Sequence, residues 1–202
     1  MFDERFRRVF PAIAAGPVRM LAHAGATPNQ VTIAACALGC VAAWQLAAGR
    51  GALAVTLWLA SRVLDGLDGL LARETARGSA FGGYLDITLD MVAYGAMVLG
   101  FAALHPSLAM AWMAILLGYI LVTTSTLALS SLLEAHHARA GLTNRSIAFT
   151  PGFAEAGETS VVYVLLALLP SAAAYLAWAW VALLAATVVQ RTIVARRVLG
   201  EL

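Results

Sequence analysis

The sequence predicts an all-α integral membrane protein, with six transmembrane helices preceded by an amphipathic helix lying at the membrane interface. Three observations carry that prediction. Of the 202 residues, 61% are hydrophobic and only 12% charged, against roughly 25% charged in a soluble domain. The apolar residues fall into six runs, at about 30–48, 52–72, 83–104, 107–132, 155–170 and 172–192, most of them near the ~20 helical residues that cross a hydrocarbon core of roughly 30 Å. All 13 basic residues are arginine, and six spans would collect them on one side, with only Arg50 in an opposite loop and Arg62 inside a span.

The N-terminal segment, residues 1–25, repeats Phe2, Phe6, Val9 and Ile13 at helical spacing opposite Asp3, Glu4, Arg5, Arg7 and Arg8. That pattern suits a helix in the headgroup region. Pro11 and Pro17 are expected to limit its length or divide it. It lacks the apolar run and small-residue cleavage site of a signal peptide and is read as mature sequence. The six-span unit then occupies 27–202 of a single membrane domain. Its fifth run is short, and Pro170 and Ser171 alone divide it from the sixth. The arginine-rich side is assigned to the cytoplasm, which puts both termini and the turn between the second and third spans there.

Cys36 and Cys40 are four apart in one apolar run. A helix stacks them on one face, in the wrong geometry for a disulfide, so they are read as packing residues. The tryptophans are read as interface anchors or packing residues. No nucleic-acid partner is expected.

The stretch "LDGLDGLLARETARGSAFGGYLDITLD", residues 64–90, places Asp65, Asp68, Asp86 and Asp90 in or beside two apolar spans. Asp65 and Asp68 share one helical face, and Gly82, Asp86 and Asp90 share another. Antiparallel folding of the two spans brings all four carboxylates together near the cytoplasmic surface. A buried aspartate costs about 2.5 to 3.5 kcal/mol at the centre of a membrane helix, so a positive partner is required. Arg62 and Arg73 cannot neutralise four carboxylates. Hard divalent cations with oxygen ligands fit, and Mg²⁺ or Mn²⁺ also suits phosphate sites. Gly66, Gly69, Gly82 and Gly83 clear space for a large ligand, and Arg73 offers donors for diphosphate oxygens.

The spacing Asp65, Asp68, Gly69, Ala72, Arg73, Gly82, Asp86, Asp90 resembles the complete signature of the CDP-alcohol phosphotransferases. The "TPNQVT" at Thr27–Thr32 resembles the family's opening of the first span. The resemblance implies two Mg²⁺ or Mn²⁺ ions held by Asp65, Asp68, Asp86 and Asp90, with Asp90 also the general base. It implies a CDP site formed by Asp65, Gly69, Ala72, Arg73, Gly82, Thr27, Pro28 and Asn29, a homodimer in the bilayer, and CDP-diacylglycerol as donor to a small polar alcohol. The "GFAEAGET" patch resembles a branch of bacterial inner-membrane members distinct from the usual phosphatidylglycerophosphate synthases.

For the acceptor, glycerol 3-phosphate leads, with inositol, inositol phosphate and amino alcohols as alternatives. Arg139, Arg145 and Arg191 are the candidate anion ligands. Glu155 and Glu158 are candidates for acceptor hydroxyls or an amine, or complement the start of the fifth span. His136 and His137 are read as solvated loop residues. A cation or small-solute transporter would also bury acids, although it needs neither the glycines nor Arg73. A catalytically silent relative would have no need to keep all four aspartates.

Overall fold

The computed structural model describes residues 2–139 and 156–200, with side chains from Pro11, 13–136 and 156–200. Its elements are helical: α1 (Phe2–His23), α2 (Pro28–Ala47), α3 (Gly51–Glu74), α4 (Ala80–Leu104), α5 (Ala109–Arg139), α6 (Ala156–Leu168) and α7 (Ala173–Gly200), with single 3-10 turns opening the approaches to α5 and α7. Each of the six expected spans corresponds to a helix. Among the described residues, four segments are long and apolar enough to cross a membrane: Pro28–Ala47, Ala80–Leu104, Pro106–His136 and Pro170–Gly200. The 24-residue α3 has the length, but Arg62, Asp65 and Asp68 interrupt its apolar surface. The 13 residues of α6 reach only about 20 Å at 1.5 Å per residue.

The prolines of α1 neither divide nor end it; one helix runs through both Pro11 and Pro17. Its second half is held by packing: Ala14 and Val18 are buried against Leu67 and Leu71 of α3. This contact offsets the missing proline N–H groups. Ile13, expected on the apolar face, is 73% exposed. Gly25, at φ 74°, then reverses the chain after α1 in a left-handed conformation that glycine adopts without steric cost.

The start of α2 is written locally. Thr27 accepts from the Gln30 N–H, the Gln30 side chain accepts from the Thr27 N–H, and Pro28 takes the first helical turn. This is a capping box with a proline where no N–H is needed. Helices α2, α3 and α4 pack closely because small residues face one another. A Cβ placed on Gly39 would lie 3.0 Å from the Ala93 Cβ and 3.2 Å from the Ser61 Oγ, and one on Gly100 would lie 2.7 Å from the Ala43 carbonyl oxygen. Gly118 of α5 makes the same approach to Leu184 of α7.

The main core joins α2, α3 and α4 to α5, α6 and α7 through Leu46, Trp58, Met97, Phe101, Trp112, Tyr163, Trp180 and Leu184. Trp58, Trp112 and Trp180 are therefore packing residues, whereas Trp44 and Trp178 are exposed. The outward faces of α4, α5 and α7 are also apolar, with Leu99, Met110, Ile120, Leu132 and Val189 exposed. Such a surface is unsuited to water and natural to lipid, with backbone groups satisfied inside helices. The chain is an integral membrane protein.

Candidate metal and nucleotide site

The paired helices α3 and α4 do what the aspartate spacing requires. Oxygen atoms of Asp65, Asp68 and Asp86 lie within 4.8 Å of one another. Three convergent carboxylates are a donor set for a hard divalent cation, and a cation among them relieves their mutual repulsion. Asp68 is buried, and the Thr32 hydroxyl of α2 donates to its Oδ2 at 2.5 Å. Thr32 is also within 3.0 Å of the Pro28 carbonyl. Its single proton goes to the charged acceptor at the shorter distance.

Asp90 lies one helical turn beyond Asp86 and has a different partner. Arg62 Nη1 sits 2.5 Å from Asp90 Oδ1 and 3.7 Å from Asp65 Oδ2. The guanidinium carbon lies 4.6 Å from the Trp58 ring centroid and 5.1 Å from that of Tyr94. Asp90 also opens onto a cavity of about 170 Å³, lined by Tyr94, Tyr119, Thr123 and Thr159 together with Met91, Val122, Ala156 and Leu184. Behind it runs a chain of hydrogen bonds: Trp180 Nε1 donates to the Tyr119 hydroxyl, Tyr119 to the Tyr163 hydroxyl, and Tyr163 to the Tyr94 carbonyl.

Of the residues expected at the nucleotide, Asn29 of α2 lies beside Gly82 of α4, and Gly69 and Arg73 are neighbours along α3. A Cβ on Gly82 would meet Asn29 Oδ1 at 3.1 Å and Ser79 Oγ at 3.2 Å, and one on Gly69 would lie 3.8 Å from Arg73 Nη1. Ser79 caps α4 by accepting from the Gly82 N–H at 3.0 Å. Arg73 is exposed and borders a groove of about 290 Å³ between α1 and α3, with Arg19 and Glu74. Thr27 is half-buried and engaged in the α2 cap.

The expected acceptor residues fare differently. Arg191 donates through Nη1 to the Val122 carbonyl at 2.9 Å and to the Thr126 hydroxyl, tying α7 to α5. Glu158 is half-buried in the first turn of α6, the position that favours an acid beside the helix N-terminus. Arg139 closes α5, but its side chain, like Arg145 and Glu155, lies outside the described residues. Sequence reasoning gave Thr32 and the tyrosines Tyr94, Tyr119 and Tyr163 no role at the site. Thr32 carried a signal, lying four residues after Pro28 on the inward face of α2; the tyrosines come from three different helices and carried none.

Residues 25–190 match the family described as CDP-alcohol phosphatidyltransferase. The chain belongs to that family. Among CDP-alcohol phosphatidyltransferase relatives it is similar to the inner membrane protein YnjF of Escherichia coli (strain K12), 36% identical over 158 residues that cover 76% of this chain and 75% of that protein. It is also similar to archaetidylinositol phosphate synthase of Methanothermobacter thermautotrophicus, 31% identical over 75% of this chain and 69% of that protein. Its fold resembles the crystal structure of Mycobacterium tuberculosis phosphatidylinositol phosphate synthase with CDP-DAG bound, at a TM-score of 0.74 and 23% identity over 92% of this chain and 94% of that one. The same enzyme has been solved in complex with manganese and citrate, at a TM-score of 0.70 and 23% identity over 89% of this chain and 87% of that one.

Proposed function

We propose that this protein is a divalent-metal-dependent transferase that moves the phosphatidyl group of CDP-diacylglycerol to a hydroxyl of a small phosphorylated polyol and releases CMP. One observation carries the reading: three motif carboxylates converge within 4.8 Å, and the fourth, Asp90, adjoins a small cavity. Asp65, Asp68 and Asp86 hold Mg²⁺ or Mn²⁺. Once bound, the ions polarise the phosphoryl oxygens and stabilise departing CMP. Thr27, Pro28, Asn29, Gly69, Ala72, Arg73 and Gly82 line the CDP moiety. Asp90 takes the proton of the acceptor hydroxyl as its oxygen attacks the phosphorus bearing diacylglycerol, and the bond from that phosphorus to CMP breaks.

The acceptor we favour is an inositol phosphate, ahead of glycerol 3-phosphate. Relatives named for phosphatidylinositol phosphate or archaetidylinositol phosphate synthesis support it. The protein works with six spans in the cytoplasmic membrane, its site and both termini facing the cytoplasm, as a homodimer. α1 lies along the interface.

The test is CMP release and lipid product formation by the purified protein with CDP-diacylglycerol, Mn²⁺ and inositol phosphate, glycerol 3-phosphate, inositol or serine. Inositol phosphate is expected to give the fastest release. Asp90→Asn should cut turnover by roughly 10²- to 10⁴-fold, the range for losing a general base. Ion flux in liposomes without CMP release from any acceptor would make the protein a transporter and sink the proposal.

A further inference from the structure

Arg62 stands three residues before Asp65 on α3, so it shares a helix face with the first motif aspartate. Its position is fixed from several sides. Nη1 reaches Asp90 on α4 at 2.5 Å and Asp65 at 3.7 Å, Nη2 donates to Ser61 Oγ at 3.0 Å, and the plane rests over Trp58 and Tyr94. The side chain is only 13% exposed. A cation so confined does more than offset charge, because it stands between Asp65 and Asp90, two acids from different helices. A further metal ion that used Asp90 as a ligand would compete with the guanidinium for that carboxylate. The group formed by Asp65, Asp68 and Asp86 leaves Asp90 out. One ion can therefore bind that trio with Arg62 in place, while another must take Asp90 from the guanidinium.

We propose that Arg62 is a positioning residue that occupies the second cation position of this site: the first divalent ion binds at Asp65, Asp68 and Asp86, and the second binds only by displacing the guanidinium from Asp90. In the resting protein Asp90 is thereby held in place beside the acceptor cavity. The inference rests on the metal-site reading above and adds an order of binding to it.

The experiment is a Mn²⁺ titration of the full chain in lipid nanodiscs, with free Mn²⁺ counted by electron paramagnetic resonance. Wild-type protein should bind one ion tightly and a second at least about tenfold more weakly, because like charge opposes it at short range. Arg62→Met should bring the second affinity to within roughly threefold of the first, while Arg62→Lys, which keeps the charge, should resemble wild type. Asp90→Asn should leave the first affinity within about threefold; a loss of roughly tenfold or more would tie Asp90 to the first ion and overturn the proposal. That arm decides the matter even if Arg62→Met does not fold. Two equally tight ions in the wild type, or an Arg62→Met titration identical to wild type, overturn this inference and leave the metal site standing. Absence of any Mn²⁺ binding overturns both.

Discussion

Replacing Thr32 with valine removes one hydroxyl and almost no volume, which isolates a single hydrogen bond at the metal site. Thr32 is buried, and its hydroxyl lies 2.5 Å from Asp68 Oδ2. Asp68 is itself only 8% exposed, so water cannot replace the lost donor. A hydrogen bond to a charged group contributes about 1.5 to 3 kcal/mol. At ~1.4 kcal/mol per tenfold this corresponds to roughly 10- to 150-fold. Outer-shell partners of metal ligands typically cost ~10- to 100-fold in affinity when removed, so both routes give the same range. Thr32→Val should therefore weaken Mn²⁺ binding by about 10- to 100-fold, measured by calorimetry on the protein in nanodiscs. Thr32→Ser, which keeps the hydroxyl, should recover most of the loss. Wild-type Mn²⁺ affinity in a Thr32→Val protein with unchanged melting would refute the claim that this hydrogen bond orients Asp68.

Two further predictions probe the scaffold. Gly100→Ala would place a Cβ 2.7 Å from the Ala43 carbonyl oxygen, which is backbone and cannot swing aside, so it should destabilise the α2–α4 contact by about 1 to 3 kcal/mol. Gly95→Ala, with nothing within 4 Å, is its control, and equal melting of the two variants would contradict the packing. Tyr163→Phe removes both the acceptor for Tyr119 and the donor to the Tyr94 carbonyl. In a buried site that should cost ~1 to 3 kcal/mol, read as a lower melting temperature in detergent.

Hydropathy alone placed the six helices α2 to α7 to within a few residues at most ends, because the length of an apolar run is a local property of the chain. The last helix runs on to Gly200, beyond the expected 192, since its arginine-bearing turns remain helical after the apolar run ends. The spacing of three and four residues put Asp65 beside Asp68 and Asp86 beside Asp90, and Thr27, Pro28 and Gln30 wrote the cap of α2. Each of these follows from helical geometry within a few residues.

The sequence did not determine which faces meet, or which cation serves which acid. Arg62 reaches Asp90, 28 residues away, where Gly39 meets Ala93 and Ser61 and lets α2, α3 and α4 approach closely. Thr32 reaches Asp68 across 36 residues for the same reason. Arg191, a candidate for an anionic acceptor, donates to Val122 and Thr126 on α5, partners that only the packing of α7 on α5 supplies. α1 continues through two prolines because its contact with α3 outweighs the local penalty. Local pattern fixes helices and the spacing of side chains along them, whereas contacts between helices depend on close-packed surfaces assembled from distant parts of the chain.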